Sequence, residues 1–138
     1  MGRFGEAQLE CLKSLRKRPD DFQALHLLGL SFYLQGDLAA AAALIERALE
    51  MDPASAEAHA NLGAVLKALK RLPEALQHYD TAVALDPGFA NAHANRGNLL
   101  FSACCFAEAI ASYDQVIALR PGHVAALTNR GCARMELR

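Results

Sequence analysis

Tryptophan is absent from the 138-residue chain, and aromatic residues make up only 7% of it. Proteins that hold single-stranded nucleic acid commonly repeat aromatic side chains beside basic ones, and the sequence has no such arrangement. The chain also lacks an excess of charge of either sign, because the formal net charge at pH 7 is −1. A nearly neutral chain has no general attraction for nucleic acid or for an acidic membrane surface. We therefore expect a partner that is neither nucleic acid nor membrane.

The chain also lacks a long hydrophobic run. No apolar stretch approaches the roughly 18 residues that span a bilayer, and the first residues contain no hydrophobic signal core. The four cysteines have neither CxxC spacing nor the density of a disulfide scaffold. Such cysteines are typical of reduced thiols, so we expect a cytoplasmic protein. These cysteines are Cys11, Cys104, Cys105 and Cys132.

Motifs for catalysis and for metal binding are missing as well. The sequence contains no HExxH motif and no paired Cys/His spacing. Gly2 and Gly5 precede no strand–helix phosphate loop. Cysteine and histidine both occur, but nothing in their spacing brings them together as a nucleophile and its base. The sequence therefore predicts no enzyme, no cofactor and no metal site.

What the chain does have is a strict internal repeat. Prolines, glycines and alanines all recur at one constant step, and three residue types locked to one period do not arise from composition alone. A repeat of this length indicates a stacked solenoid, whose usual product is a concave surface rather than a catalytic pocket. The periodic residues are Pro19, Pro53, Pro87 and Pro121; Gly29, Gly63, Gly97 and Gly131; and Ala7, Ala41, Ala75 and Ala109.

Each period is predicted to contain two helices and no strand. Apolar residues first recur with helical spacing, a break such as Gln35-Gly36-Asp37 follows, and a second apolar pattern ends before the periodic proline. Ser55 is a candidate cap for the helix that follows it. The predicted helices span residues 22–34, 38–51, 56–69, 72–85, 90–103 and 106–119.

Residues 1–138 are predicted to form a single array. Neither end of the chain respects the period, since the first residues correspond to a second helix without its first. We therefore expect a segment of a longer repeat protein. The units are a half repeat at 3–18, repeats at 22–55, 56–89 and 90–123, and a truncated repeat at 124–138.

The periodic pattern resembles the tetratricopeptide repeat, whose signature is W-x2-L-G-x2-Y, then A-x3-F, then P. The first full unit reads Leu25-x2-Leu28-Gly29-x2-Phe32, then Ala41-x3-Ile45, then Pro53. The departures are the missing tryptophan and Cys104, which stands where the first unit has Gly36. The resemblance implies an all-α fold, a right-handed superhelix of antiparallel helix pairs. It also implies that the first helix of each pair lines a groove.

The resemblance further implies close packing within each helix pair. Gly29, Gly63 and Gly97 are expected to let the two helices approach, with the small residues Ala41, Ala75 and Ala109 opposite them. His59 and His93 share the position of the family's large packing residue, so we expect them to pack rather than to bind metal.

A row of asparagines is the most suggestive functional feature. Asn61, Asn95 and Asn129 are spaced by the same period, and their phase places them toward the groove, with Asn91 and Asn98 beside Asn95. Because an amide both donates and accepts, such a row can hold the backbone of an extended peptide. The row resembles the asparagine ladder in the repeat region of O-GlcNAc transferase and its bacterial relatives. The alternative is a solvated helix face, or local bonds between neighbouring helices.

Leu27 occupies the corresponding position in the first unit, and with Leu30 and Leu34 it forms an apolar stripe. One interpretation is a docking site for a peptide or helix, since exposed apolar patches mark interfaces. The other is burial against a neighbouring unit or against another copy of the chain.

Two further sets of polar residues have predicted roles. Arg96 and Arg130 follow Asp80 and Asp114 at one shared offset, which links an outer helix to the next inner one and predicts two inter-repeat ion pairs. The lysine-rich clamp that some family members place on a terminal carboxylate is rejected, because it requires two lysines and an arginine on the groove face. The matching residues here include His26, Asn61, Asn91 and Asn95.

The leading functional hypothesis is a protein–protein interaction scaffold that binds an extended peptide or a helix of a partner in its groove. Two alternatives stay open. The chain is the substrate-recruiting segment of a larger glycosyltransferase-type enzyme, or it is a self-assembly module whose end helices dock on other copies. The candidate groove residues are Asn61, Asn91, Asn95, Asn98, Asn129, Leu27, Leu30 and Leu34.

Overall fold

The computed structural model describes residues 2–138, and their side chains from residue 5 onward; Met1 lies outside the described residues. Over this range the chain forms eight helices joined by short turns, without strands. The helices are α1 (Gly2–Lys17), α2 (Phe22–Leu34), α3 (Leu38–Met51), α4 (Ala56–Ala68), α5 (Leu72–Leu85), α6 (Ala90–Ser102), α7 (Phe106–Leu119) and α8 (Val124–Glu136).

The helix boundaries follow the predicted ones closely. Four side-chain caps explain where helices begin, because each accepts a bond from a backbone N–H that the first turn leaves free. Asp21 caps α2, Asp37 caps α3, Ser55 caps α4 as the sequence predicts, and His123 caps α8. Helices α4 and α6 each end just before the predicted position, where Leu69 and Ala103 serve as C-caps.

The turns inside the three full repeats share one hydrogen-bonded form. In the turn after α4, Lys70 N–H donates to the carbonyl of Lys67 at 3.0 Å, and Arg71 N–H donates to that of Leu66 at 2.9 Å. This pattern places the residue after the C-cap in the left-handed region, where glycine is favoured. Gly36 has φ 87°, and its counterparts Lys70 and Cys104 have φ 65° and 62°. Cys104 therefore keeps the turn despite replacing a glycine.

The helices form two layers. Each odd-numbered helix from α3 to α7 packs against the even-numbered helix before it and the one after it. The even-numbered helices α2, α4, α6 and α8 also contact each other in succession, whereas in the part of the chain described here α3, α5 and α7 do not touch one another. The even-numbered helices are therefore the inner layer, and the odd-numbered ones are the outer layer. No helix within residues 2–138 has the length and apolarity to cross a bilayer.

At two of the three periodic glycines on α2, α4 and α6, an aromatic ring of the outer helix lies nearest to the glycine. A Cβ at Gly63 would lie 2.8 Å from Cε1 of Tyr79, and one at Gly97 would lie 2.8 Å from Cε1 of Tyr113. The outer helix thus presents a buried aromatic ring to the glycine, and the missing Cβ makes room for that ring. A Cβ at Gly29 would lie 3.3 Å from Ala41 O, as the expectation of a small alanine opposite the glycine requires, and Ile45 comes closer still.

The core runs continuously from repeat to repeat. Leu62, Val65 and Leu66 on α4 pack with Tyr79 on α5 and with Ile45 on α3, so that one inner helix joins two outer ones. All five of these side chains are at most 1% exposed. Burial raises the pKa of the Tyr79 hydroxyl to about 12. The array is therefore held together by shared burial between neighbours, as expected for a solenoid.

Both predicted ion pairs between repeats are confirmed. Arg96 Nε lies 2.5 Å from Asp80 Oδ1, and Arg130 Nη1 lies 2.9 Å from Asp114 Oδ1. Arg96 also donates to the buried hydroxyl of Ser112 at 2.6 Å. The two aspartates are about half exposed, so each pair fixes orientation between repeats more than it adds stability.

Candidate functional site

The candidate site is the surface of the inner helices, which we call the groove. Four residues at one repeat position lie on this surface, one on each inner helix: Leu27, Asn61, Asn95 and Asn129. The first is exposed and the three asparagines are partly exposed. Because the inner helices touch in succession, these side chains follow one another along a single face.

Three of the predicted asparagines share one depression, which we call the amide cavity. It lies between α4 and α6 with a volume of about 400 Å³. Asn61 lies on the α4 side, and Asn91 and Asn95 lie on the α6 side. The remaining lining residues are Ala56, Glu57, Ala60, Asp86 and Phe89. Amide and carboxylate groups therefore dominate a concave surface wide enough for an extended backbone.

Asn61 also ties two inner helices together. Its amide nitrogen lies 2.9 Å from Nε2 of His26, which belongs to α2. Because the amide nitrogen can only donate, the His26 ring accepts through Nε2. The amide nitrogen of Asn61 is therefore used in a bond between neighbouring helices, which agrees with the alternative interpretation of the asparagines as local links between helices. Within the described residues its amide oxygen has no hydrogen-bond partner.

Asn98 and Asn129 form a second linked group. The oxygen of the Asn98 amide accepts from the Tyr113 hydroxyl at 2.8 Å and from the Asn129 amide at 3.2 Å. This one oxygen thereby connects α6, α7 and α8. Burial raises the pKa of the Tyr113 hydroxyl, and the nearby Asn129 amide partly offsets that effect. The amide oxygen of Asn98 is therefore occupied by bonds within the protein, and it is less available to a ligand than the sequence suggests.

Asn95 differs from its two periodic relatives. Over residues 5–138 its amide makes no hydrogen bond to another side chain or to the backbone, and it is partly exposed inside the amide cavity. The exposed side chain of Asn91 is equally uncommitted there. A peptide backbone entering the cavity would thus meet two complete amides and the free oxygen of Asn61.

The apolar stripe lines a second depression, which we call the leucine cavity. It has a volume of about 500 Å³, with Leu27, Leu30 and Leu34 on its α2 side. Helix α1 supplies the opposite wall through Ala7 and Cys11. Leu27 is 53% exposed and Leu34 is 65% exposed, so neither is buried by α1. The cavity adjoins the row of asparagines, because Leu27 holds the repeat position of Asn61 on the neighbouring helix.

The histidines at the packing position are hydrogen-bonded as well as packed. Nε2 of His59 lies 2.9 Å from Pro53 O, and Nε2 of His93 lies 2.9 Å from Pro87 O. Each ring thus bonds to the periodic proline before its helix. Nδ1 of His59 also lies 3.0 Å from Nδ1 of His78 on α5. No pattern in the sequence indicates this last contact, because His78 has no periodic counterpart.

We expect the stability of the fold to decrease as the pH falls below 6.5. Burial lowers the pKa of His26 from 6.5, opposed by Glu57, and burial together with His59 lowers the pKa of His78. The unfolded chain then binds protons more readily than the folded one, so the stability present above pH 6.5 is lost as the pH falls through the folded values. Urea unfolding at pH near 7.5 and 5.5 measures this difference.

The matched variant for this pH effect is the double substitution His26→Gln and His78→Gln. It is expected to reduce the difference in unfolding free energy between the two pH values. A difference of the same size in the double variant would contradict the assignment to these two rings.

Potential metal ligands and thiols are the other reactive groups of the chain. Across residues 5–138, no group of three or more His, Cys, Asp or Glu side chains is placed to hold a metal ion. The four cysteines are free thiols, with Cys11 buried and the others exposed. Burial raises the pKa of the Cys11 thiol, and Asp21 and Glu10 raise it further.

Sequence comparison agrees with the architecture. One sequence model of the tetratricopeptide repeat matches residues 1–56 and 28–90, and a second matches residues 90–123. The chain belongs to the tetratricopeptide repeat family. Its fold is accordingly a right-handed superhelix of antiparallel helix pairs. Repeats of this family generally serve in protein interaction, and neither match indicates a catalytic family.

Solved structures of the same family superpose closely. The protein MamA is 26% identical with a TM-score of 0.90, and the match covers 96% of this chain and 77% of MamA. YrrB, described as a tetratricopeptide repeat protein with an unusual peptide-binding site, is 26% identical with a TM-score of 0.83. That match covers 93% of this chain and 66% of YrrB.

A third solved structure is the first repeat domain of Spaghetti (RPAP3), bound to the HSP90 peptide SRMEEVD. It is 23% identical with a TM-score of 0.81, and the match covers 84% of this chain and 92% of that one. At this identity the likeness concerns the fold alone. The tetratricopeptide repeats and these neighbours support a protein-interaction scaffold.

Proposed function

We propose that the chain binds an extended segment of a partner protein in its groove. The amide cavity holds the backbone of the segment through Asn91 and Asn95 and through the amide oxygen of Asn61. The observation that supports this most directly is the set of uncommitted amide groups around one concave surface of about 400 Å³. An amide that bonds to a backbone is indifferent to side chains, so this part of the groove supplies affinity rather than selectivity.

Selectivity comes from the leucine cavity in this proposal. Leu27, Leu30 and Leu34 receive an apolar side chain of the same segment, at the end of the groove nearest α1. Asn98 and Asn129 belong to the opposite end, where they stabilise α8 against α6 and offer their remaining amide groups. The repeat units in this proposal are a half repeat at 3–18, repeats at 22–55, 56–89 and 90–123, and a truncated repeat at 124–138. The alternatives are the recruiting segment of a glycosyltransferase-type enzyme and self-assembly.

Alanine at Asn91 and Asn95 is expected to weaken peptide binding without disturbing the fold. Peptides selected from a random display library against the wild-type chain provide the probe. Loss of one net hydrogen bond of about 1 kcal/mol weakens binding about fivefold, so the double variant should bind about thirtyfold more weakly. Calorimetric titration measures the affinity, and circular dichroism checks that helicity is unchanged.

The matched control is Gln115→Ala, which removes an exposed amide from the outer helix α7. It is expected to leave the affinity as in the wild type. Equal affinity of the wild type and the Asn91/Asn95 double variant would remove the amide cavity from the mechanism. A loss that is as large in Gln115→Ala would do so as well.

A further inference from the structure

A third depression of the groove has a different chemistry from the other two, and we call it the lysine cavity. It has a volume of about 420 Å³ and lies at the C-terminal ends of the inner helices. Tyr33 on α2, Lys67 on α4, Lys70 in the turn after α4 and Ser102 on α6 line it. Lys67 lies ten positions after Glu57 of the amide cavity, which corresponds to about 15 Å along α4. The two cavities therefore lie at opposite edges of the groove.

The positive charges of the lysine cavity are uncompensated in the described part of the chain. Neither Lys67 nor Lys70 forms an ion pair with residues 5–138, and no carboxylate lines the cavity. Glu74 is the nearest acidic residue along the chain, and it is engaged by Arg71 at 2.5 Å. Lys67 and Lys70 both line this cavity, and opposite charges attract, so an anion that entered it would be stabilised by each ammonium group.

Hydrogen-bond donors in the cavity are also unused. The Tyr33 hydroxyl has no hydrogen-bond partner within residues 5–138, and each ammonium group carries three donors. Ser102 contributes only an acceptor in this state, since its hydroxyl donates to Asn98 O at 3.0 Å. The turn fixes the backbone position of Lys70, because the Lys70 N–H donates to Lys67 O at 3.0 Å. The backbone thus holds Lys70, which lies in the turn, at a fixed position relative to Lys67 in the last turn of α4.

We propose that the lysine cavity binds an anionic group of the partner segment, either a carboxylate or a phosphate. The ammonium groups of Lys67 and Lys70 pair with the anion, and the Tyr33 hydroxyl donates a third bond. This inference rests on the proposed function, because it places the anion on the segment that crosses the amide cavity. The site differs from the terminal-carboxylate clamp rejected above, since it uses none of His26, Asn61, Asn91 or Asn95.

Inorganic phosphate and acetate are the probes that test the site without a partner. Each is titrated into the chain at constant ionic strength, and amide shifts are followed by NMR. The expected result is a saturable shift concentrated at Lys67, Lys70 and Ser102. Substitution of both lysines, Lys67→Gln and Lys70→Gln, should weaken this response at least fivefold. Tighter binding of phosphate than of acetate would indicate a phosphate group on the partner segment, and tighter binding of acetate would indicate a carboxylate.

The matched control is Lys17→Gln, which removes an exposed lysine from the last turn of α1. It should leave the response unchanged. Equal small shifts at every lysine, or an equal effect of Lys17→Gln, would overturn the inference. The selected library peptides separate the two proposals: if the Asn91/Asn95 variant loses binding and the Lys67/Lys70 variant does not, the groove stands and the anion site fails.

Discussion

Leucine at Gly63 is expected to reduce the free energy of unfolding by about 3 kcal/mol, the upper end of the usual cost of overpacking a core. A Cβ at this position would lie 2.8 Å from Cε1 of Tyr79 and 3.0 Å from two further ring atoms. The ring is 1% exposed and fills the core between neighbouring repeats, so it has no free space to move into. The larger leucine side chain must then separate α4 from α5. Urea unfolding followed by circular dichroism measures the loss.

Gly131 offers the matched control because it holds the same repeat position on α8. Over the described residues, a Cβ at Gly131 would meet no atom within 4 Å. Leucine there should preserve or raise stability, since leucine favours a helix over glycine by roughly 0.8 kcal/mol or less. Similar midpoints for the Gly63 and Gly131 variants would show that close packing of the helix pair is not what the glycine provides.

Alanine at Tyr113 is expected to destabilise the fold by about 3–5 kcal/mol, the usual cost of truncating a buried aromatic residue. The side chain is 1% exposed and packs against Gly97 from α7. Its hydroxyl also donates to Asn98, which in turn accepts from Asn129. The substitution therefore opens a cavity and removes the donor that holds the link between α6 and α8. The thermal midpoint and the cooperativity of unfolding both test this.

Phenylalanine separates the two contributions of Tyr113. Tyr113→Phe keeps the ring and loses one hydrogen bond, so it should cost about 1 kcal/mol. Tyr79→Phe is the comparison, since among the described residues the Tyr79 hydroxyl has no hydrogen-bond partner. It should cost less than Tyr113→Phe. Equal costs for the two phenylalanine variants would mean that the Asn98 link does not stabilise the end of the array.

The architecture was predictable because local signals and the period agree. Ser55 precedes an apolar pattern that returns in every repeat, so cap, helix and stacking all follow from one pattern. The ion pairs of Arg96 and Arg130 were predictable for the same reason, since both partners sit at a fixed offset.

The site was less predictable because its decisive contacts join residues without a common repeat position. His26 accepts from Asn61, and His59 meets His78, yet neither pair recurs in the other repeats. Tyr79 lies against Gly63 from a position where the first repeat has Ile45, and no pattern in the sequence indicates that this ring comes nearest to the glycine. Lys67 and Lys70 line one cavity together with Tyr33 of α2 and Ser102 of α6, which are distant in the sequence. Contacts of this kind depend on the three-dimensional structure and do not follow from the repeat pattern.

Binding of a partner segment to the groove of the inner helices can be followed through side-chain amide NMR signals during titration with a library-selected peptide. We expect large shifts for the amides of Asn91 and Asn95, a smaller one for Asn61, and none for Gln77 and Gln115 on the outer helices. Shifts concentrated on Gln77 and Gln115, with Asn91 and Asn95 unmoved, would contradict this expectation.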